Sequence, residues 1–442
     1  MNLPAVSIPA RPVRRWIMTI EGVAALCLLT APPALALQPL DAFLSSARTR
    51  SPDALEVQAN LAQQQAQADA ALGRVLPGLS ARGSITRNQY DVLLDLAPGQ
   101  RVVIVPLQQL DGLATLTVPL IDLAGFQRVA AAKTSASAAG RQLVAARLQI
   151  EAQVAQDYYQ LIADLALARA SQRALEVSRA SLQLAQTRYD AGVGPVLDLD
   201  RARADVELRN QQVALADLQV ALAGRALESA SDLSPDVSTA PVLDDDLHGE
   251  PPLASFDADL GRLPAVAAAA ENTRAAEQQA TAQRYALLPT VAGTFLERGT
   301  SAPGFIGRDW TWQAAVGFNW VLDLTSSANI RSQDAAADAA RAQELRARLL
   351  ARDAIHRQWE TVVAAIARGR SARAGRAAAA HAAEQARDRY QAGSITQLDL
   401  LQAQRDLFAA DVSRIQADAD LINARAQLRL AAGATLLDSG VK

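Results

Sequence analysis

Two long stretches of the chain, residues 123–190 and 325–391, lack proline; the first places apolar side chains at the spacing of an α-helix, and the second is its counterpart in the other half. This spacing predicts one continuous helix over each stretch. At about 1.5 Å per residue, each helix would be on the order of 100 Å long, far more than the width of a globular domain. Such helices must pack side by side along their length. The apolar positions of the first stretch are Leu143, Ile150, Val154, Tyr158, Leu161 and Leu165.

Shorter helices are predicted on both sides of each long one. Upstream, residues 52–75 and 264–287 each begin at a proline, which favours a first helical turn, and each ends before a Leu-Pro pair. Downstream, residues 195–231 and 395–432 each follow a glycine that suits the left-handed position after a helix. Two shorter helices laid end to end nearly match one long helix, which predicts a wall of helices of uniform thickness.

Four segments alternate apolar and polar residues, and this alternation predicts β-strands at about 79–86, 113–120, 290–296 and 310–320. The pattern is weakest in the third segment and clearest in the fourth, where the even-numbered side chains are apolar or aromatic. A strand that faces lipid needs aromatic residues at both ends, although a sheet packed on a soluble core would alternate as well. The residues predicted to form this membrane girdle are Trp310, Trp312, Phe318 and Trp320.

The chain is a tandem duplication with a spacing of 389 − 188 = 201 residues. An Arg-Tyr-x-Ala-Gly motif occurs twice, and a Leu-Asp-Leu triplet follows each copy. A repeat of this length is a duplicated half-molecule and not a solenoid unit. We therefore divide the mature chain into a first repeat (37–235), a polar linker (236–263), a second repeat (264–435) and a tail (436–442). The paired motif residues are Arg188 and Arg389, Tyr189 and Tyr390, Gly192 and Gly393, and Asp198 and Asp399.

Residues 1–36 have the composition of a secretory signal peptide. Three arginines precede a short apolar run, and Ala34-Leu35-Ala36 is a small-x-small cleavage site. The single cysteine, Cys27, lies inside this segment, so the mature chain is predicted to contain no disulfide and no lipid-anchored cysteine. Removal of Arg11, Arg14, Arg15 and Glu21 changes the net charge from −3 to −3 − 2 = −5. An acidic chain gives no electrostatic support for nucleic-acid binding.

The sequence contains no recognisable catalytic, cofactor or metal motif. His356 and His381 lie 25 residues apart on predicted helices and His248 lies in the linker, so the histidines lack metal-ligand spacing. The Gly-x-Gly at 192–194 follows a helix and not a strand, which argues against a dinucleotide loop. We therefore predict a protein that is not an enzyme and that has no cofactor, so that any transport must draw its energy from a partner.

In the order of these features, the chain resembles the TolC-like outer-membrane factor family. The resemblance covers nearly the whole mature chain and rests on the two halves, the Leu-Pro pair before each strand pair, Asp122 and Asp323 before the long helices, and the two Tyr-x-x-Gly turns. It implies a mainly α protein with a small β part. As a homotrimer, the family fold forms a 12-stranded outer-membrane β-barrel that continues as a periplasmic α-helical barrel. Independently, four strands are too few to close a barrel in lipid.

The resemblance also implies a function and partners. The chain would be the passive channel-tunnel of a tripartite export system, either an efflux pump or type I secretion. Its partners would be a periplasmic membrane-fusion adaptor, an inner-membrane transporter of the RND, ABC or MFS type, and outer-membrane lipid. Two other functions stay open at this point, a periplasmic adaptor and a structural helical-hairpin protein of an export complex.

In the family, the two turns form the periplasmic tip. The resemblance makes Arg188, Gly192, Arg389 and Gly393 the adaptor-docking turns, and makes Asp399, Tyr390, Asp198 and Tyr189 candidates for the tip gate. The chain departs from the best-known family member by Ile395 and Gln402 where that member has an arginine and a second acid, so the closed-state links must differ. A plain helix-stabilising charge at each helix N-terminus would equally account for Asp198 and Asp399.

Overall fold

The computed structural model describes residues 37–97, 100–238, 241, 243 and 245–437. The predicted signal peptide lies outside these residues. The described part is dominated by helices, and none of those helices is both long and apolar enough to cross a membrane.

The two long helices have nearly the bounds that the sequence predicts, α3 at Leu123–Asp190 and α6 at Leu324–Gln391. Each begins after an aspartate whose side chain caps the first turn. Asp122 accepts a hydrogen bond from the backbone nitrogen of Gly125 at 2.7 Å, and Asp323 does the same from Ser326 at 2.7 Å. The caps fix where each helix starts, and the absence of proline allows each to run for 68 residues.

Five shorter helices surround the long ones. The helices α2 and α4 pack along α3, α5 and α7 pack along α6, and α3 also contacts α5 and α7, which joins the two repeats. The helix α4 begins one residue after the predicted start at 195, because Pro195 is its N-cap and has an extended backbone. The first helix, α1, was not predicted from the sequence. The bounds are α1 Leu40–Arg50, α2 Pro52–Gly73, α4 Val196–Ser231, α5 Pro264–Tyr285 and α7 Gln397–Ala431.

All four predicted strands are present, and together they form one antiparallel sheet in the order β1-β4-β5-β6. Most are longer than predicted: β1 is Gly78–Arg87, β4 Gln108–Ile121, β5 Thr290–Thr300 and β6 Trp310–Asn319. The structure also contains two strands that the sequence analysis did not predict, formed by the loop between β1 and β4. These strands, β2 (Val92–Ala97) and β3 (Gln100–Val105), pair with each other as a separate two-stranded sheet.

The register of the four-stranded sheet gathers the apolar residues on one face. Leu79 pairs with Leu116, Leu116 with Phe295, and Phe295 with Ala314, and directly paired residues point to the same side. The charged exceptions on this face are Glu297, opposite Trp312, and Arg87, opposite Gln108 at the last position of β1. The other face carries mainly Ser, Thr, Ala and Gly, with Leu113 and Leu296 among them.

The main core lies where α1 meets the middle of α3. Phe43 is fully buried against Tyr158, and Arg48 binds the buried carboxylate of Glu151. The predicted tail takes part, since Leu436 is buried and its backbone nitrogen donates to Glu151 at 3.1 Å. The other core residues include Leu44, Val154, Leu161, Ile162, Leu165, Leu227 and Leu430.

The predicted linker is more than a polar spacer. Leu247, Leu253 and Phe256 pack against a second core, formed by α5, α6 and α7. Arg425 of α7, only 5% exposed, binds the linker carboxylates Asp245, at 3.0 Å, and Glu250. The linker is therefore fastened across the helices by apolar packing and by buried ion pairs.

Candidate functional site at the helix turns

The two Tyr-x-Ala-Gly turns lie against each other, and one side chain joins them. Arg188, at the end of α3, donates a hydrogen bond from Nη1 to the backbone oxygen of Tyr390 at 3.1 Å. Its guanidinium carbon also lies 5.0 Å from the centre of the Tyr390 ring, within the range of a cation-π interaction. The first repeat therefore supplies the arginine of this contact and the second repeat supplies the tyrosine.

The duplicated tyrosines have different surroundings. Tyr390 is 3% exposed, whereas its counterpart Tyr189 is 43% exposed. Burial raises the pKa of the Tyr390 hydroxyl; the positive charge of Arg188 opposes this rise and the negative charge of Asp198 adds to it. Tyr390 therefore contacts Arg188, and the negative charge of Asp198 also acts on it; we refer to these three predicted residues as one cluster. Tyr189 and Arg389 are exposed and stand outside this cluster.

Each turn is built by a glycine with a left-handed backbone, as the sequence predicts. Gly192 has φ +70° and Gly393 has φ +74°. The backbone nitrogen of Gly192 donates to the backbone oxygen of Tyr189 at 2.9 Å, and that of Gly393 donates to the backbone oxygen of Tyr390 at 3.0 Å, which closes each helix end. A residue with a side chain would be strained at either position. The turn glycines therefore set the path of the chain from each long helix into the next one.

Asp399 forms a capping box at the start of α7. Its side chain accepts hydrogen bonds from the backbone nitrogen of Thr396 at 3.0 Å and from the Thr396 hydroxyl at 2.7 Å. In return, the Thr396 hydroxyl accepts from the Asp399 backbone nitrogen at 3.2 Å. These bonds from Thr396 lower the pKa of Asp399, so its exposed carboxylate is held in the charged form. Asp198 lies at the equivalent place in α4, 3.8 Å from Arg201.

The sequence analysis missed a buried ion-pair network around Asp205 of α4 and Arg405 of α7. These residues lie nine and eight residues after the first residues of their helices, which is about 12–14 Å along the helix axis. Asp205 of α4 is 2% exposed and accepts from the hydroxyl of Ser178 at 2.9 Å and from Arg405 of α7 at 3.2 Å. Arg209 lies 3.6 Å from the same carboxylate and stacks on Phe408 at 5.1 Å. The network joins α3, α4 and α7.

A sequence signal for this network does exist. Asp205 lies on the apolar stripe of α4 that Leu199, Ala202 and Val206 define, and a charge on such a stripe must find a buried partner. The equivalent residue of the second repeat, Asp406, is exposed and accepts a hydrogen bond from Gln402 at 2.8 Å, so the two repeats differ at this position.

The predicted girdle residues are all exposed, and they lie at the two ends of the apolar sheet face. At one end Trp310 covers Gly299, where an added Cβ would lie 3.1 Å from the indole ring. Next to it, the rings of Trp312 and Phe295 stack at 6.1 Å. At the other end, near the helices, Phe318 is followed by Trp320, whose indole nitrogen donates to the backbone oxygen of Leu287 at 3.0 Å.

Within the described ranges, the one group of side chains with metal-ligand spacing is Asp245, Asp246 and His248 in the linker. Asp245 is already paired with Arg425, and Asp246 accepts from the ring of His248. These contacts make the group part of the ion-pair network that fastens the linker.

Comparison with protein families assigns the chain. The model of the outer membrane efflux protein family matches residues 43–231 and 257–434, one block in each repeat, and the chain belongs to this family. It is therefore an outer-membrane protein of bacterial export, and the family favours a channel over an adaptor or a structural hairpin. No curated protein sequence matches the chain significantly.

Solved structures show the same fold over most of the chain. The outer-membrane channel OprN superposes with a TM-score of 0.76 at 22% identity and covers 90% of each chain. The CmeC outer-membrane channel of Campylobacter jejuni has a TM-score of 0.77 at 19% identity, covering 90% of this chain and 86% of its own. The open state of the MtrE outer-membrane channel of Neisseria gonorrhoeae has a TM-score of 0.73 at 20% identity and covers 90% of both chains.

Proposed function

We propose that the chain is the outer-membrane channel-tunnel of a tripartite export system and serves as a passive conduit. The observation that carries this proposal is the sheet register, which gathers apolar residues of all four strands on one exposed face beside a much longer bundle of helices. A sheet in lipid must direct such a face outward and a polar face toward water. The polar face of Ser, Thr and Gly then lines the passage.

The assembly that we propose is a homotrimer with twelve strands from the four-stranded sheets. The strands β1 and β6 are the edges of the sheet within the chain, and an open edge in lipid would leave unpaired backbone groups. Pairing of β6 with β1 of the next copy removes both edges. Exposed leucines on the helices support contact between the copies: Leu208, Leu215 and Leu222 recur every seven residues on α4, and Leu345 and Leu349 lie four residues apart on α6.

The partners that we propose are a periplasmic adaptor, which docks at the helix turns, and an inner-membrane transporter that supplies the energy. The turns support adaptor docking because backbone hydrogen bonds close them at Gly192 and Gly393 and because Arg389 and Tyr189 remain exposed there. Selection of cargo belongs largely to the transporter in such a system.

We also propose that the cluster of Arg188, Tyr390 and Asp198 holds the tip closed, and that Asp399 sets the charge of the entrance. The contact of Arg188 with Tyr390 crosses from one repeat to the other, and we propose that it breaks when the tip opens. Asp399 is exposed, and its lowered pKa keeps it negative, so three copies around an axis would attract cations.

Two measurements test the proposal. Outer-membrane fractions run unheated on a detergent gel should show a trimer that heating converts to a monomer; a monomer without heating, or recovery in the soluble fraction, contradicts the assembly. Purified trimers in planar bilayers should give a small, cation-selective conductance. Asp399→Ala should weaken the cation preference while the trimer still assembles, with Asp406→Ala as the matched control. An unchanged reversal potential in Asp399→Ala would leave Asp399 with only its capping role.

A further inference from the structure

Charged side chains on the polar face of the four-stranded sheet are confined to one short section. The register aligns Arg82 of β1 with Leu113 of β4 and Leu113 with Arg298 of β5. Asp111 lies two residues from Leu113 and therefore on the same face. The remaining positions of this face in β1, β4, β5 and β6 are uncharged, among them Ser80, Ser84, Thr86, Thr115, Thr117, Thr294 and Gln313.

The charges in this section do not cancel. Arg298 donates from Nη2 to Asp111 at 3.1 Å, which neutralises one guanidinium. Arg82 is exposed and has no hydrogen-bond or ion-pair partner in the described part of the chain. It lies two strands from Arg298, roughly 10 Å away at the usual strand spacing. Two arginines and one aspartate leave 2 − 1 = +1 for each chain.

We infer that Arg82, Arg298 and Asp111 form an anion-binding ring inside the channel, specific for solutes that carry carboxylate, sulfonate or phosphate groups. The inference rests on the proposed trimer, in which the polar faces of three sheets surround the passage and the ring carries 3 × (+1) = +3. The planar fork of a guanidinium matches the oxygens of these groups in pairs.

The expected width of the passage makes this charge effective. Twelve strands at ~4.8 Å spacing and ~40° tilt enclose a cylinder roughly 24 Å across between backbones. A solute on the axis is then about 12 Å from the backbone and closer to the guanidinium groups, near the screening length of about 8–10 Å at physiological salt. The low-dielectric wall concentrates the field further. The outer segment of the channel therefore attracts anions, whereas the acidic tip attracts cations.

Block of single channels from the loop side tests the ring separately from the tip. Full-length trimers in planar bilayers receive hexacyanoferrate(III), a trivalent anion, on the side of the strand loops, and hexaamminecobalt(III) as the matched trivalent cation. The wild type should be blocked by the anion at a lower concentration than by the cation. Arg82→Gln reduces the charge to zero per chain and should raise the blocking concentration of the anion on the order of tenfold. Asp111→Asn raises the charge to +2 per chain and should lower it.

Two further variants serve as controls. Arg82→Lys keeps the charge and should retain most of the block, which separates charge from any effect on folding. Arg308→Gln removes an exposed arginine from the loop between β5 and β6 and should leave the block unchanged. The same blocking concentration in Arg82→Gln as in the wild type, or equal block by the cation, overturns the anion ring. Absence of both trimer and current would instead overturn the proposed channel, and the ring with it.

Discussion

Arg188 of the first repeat contacts Tyr390 of the second, although each has a motif neighbour in its own repeat, Tyr189 and Arg389. The guanidinium lies over the Tyr390 ring and donates to its backbone oxygen, whereas Arg389 and Tyr189 are exposed. A duplicated motif has thus acquired two roles. One copy provides the cation and the other provides the buried ring, and the contact holds the two turns together.

The Arg188 contact uses the ring and the backbone of Tyr390, so we expect the tyrosine hydroxyl to be dispensable. Tyr390→Phe should leave single-channel conductance near the wild-type value, whereas Arg188→Ala should increase it by freeing the turns. A double-mutant cycle of Arg188→Ala with Tyr390→Ala, measured on trimer stability, should give a coupling of about 1 kcal/mol. Arg389→Ala is the matched control and should change neither quantity. Equal conductance in Arg188→Ala and the wild type would contradict the proposal that this contact holds the tip closed.

The buried network around Asp205 should contribute much more stability than its duplicated counterpart. Asp205→Ala leaves the buried Arg209 without its carboxylate, a change that costs about 3 kcal/mol, with Arg405 adding less because it is half exposed. Asp406→Ala removes an exposed carboxylate and should cost at most about 0.5 kcal/mol. Thermal loss of helical circular dichroism in detergent compares the two. Similar melting of both variants would show that the network is not stabilising.

Gly393 should not tolerate a side chain, because its φ of +74° is unfavourable for L-residues. Gly393→Val should strain the turn by about 1–2 kcal/mol or more and reduce adaptor docking. Gly375, inside α6, has open space where a Cβ would be built. Gly375→Ala should therefore stabilise the helix by about 0.5–1 kcal/mol. Co-purification with the adaptor measures docking of the Gly393→Val variant. Docking at the wild-type level would contradict the need for a left-handed glycine at this turn.

The two faces of β6 should respond in opposite ways to arginine. Val316→Arg places a charge on the apolar face and should cost about 2–4 kcal/mol near the bilayer midplane, seen as loss of membrane-inserted trimer. Gly317→Arg points to the other face, and a Cβ at Gly317 meets no other atom within 4 Å. This variant should insert normally and reduce conductance. The reverse pattern, with Val316→Arg inserted and Gly317→Arg lost, would exchange the two faces.

The capping box at Asp399 should fail in acid. Hydrogen bonds from Thr396 lower the pKa of Asp399 below its ordinary value of 3.8. A group with a lowered pKa stabilises the fold above its unfolded-state pKa, and this stabilisation is lost as the pH falls through the folded value. Amide hydrogen-exchange protection at the start of α7 should therefore exceed that of Asp399→Asn near neutral pH and approach it below pH 3.8. A constant difference at every pH would argue against an ionised cap.

The sequence by itself determined the features that depend on neighbours along the chain. The bounds of the long helices follow from the caps at Asp122 and Asp323, from the absence of proline and from the turn glycines, all of which act within a few residues. Alternation of side chains predicts strand positions for the same reason, because it reports only which face of a strand is apolar. The 201-residue repeat likewise predicts two similar halves.

Only the tertiary structure decided which of two equivalent residues takes part in a contact. Arg188 rather than Arg389 meets a buried tyrosine, and Asp205 rather than Asp406 is buried, although the two members of each pair are the same residue type at equivalent positions of the repeat. Register decided that Arg82 and Arg298 share one level and that Glu297 lies on the apolar face. These outcomes depend on how the two repeats pack and how the strands align, and a one-residue shift in register would reverse the face of every side chain in a strand.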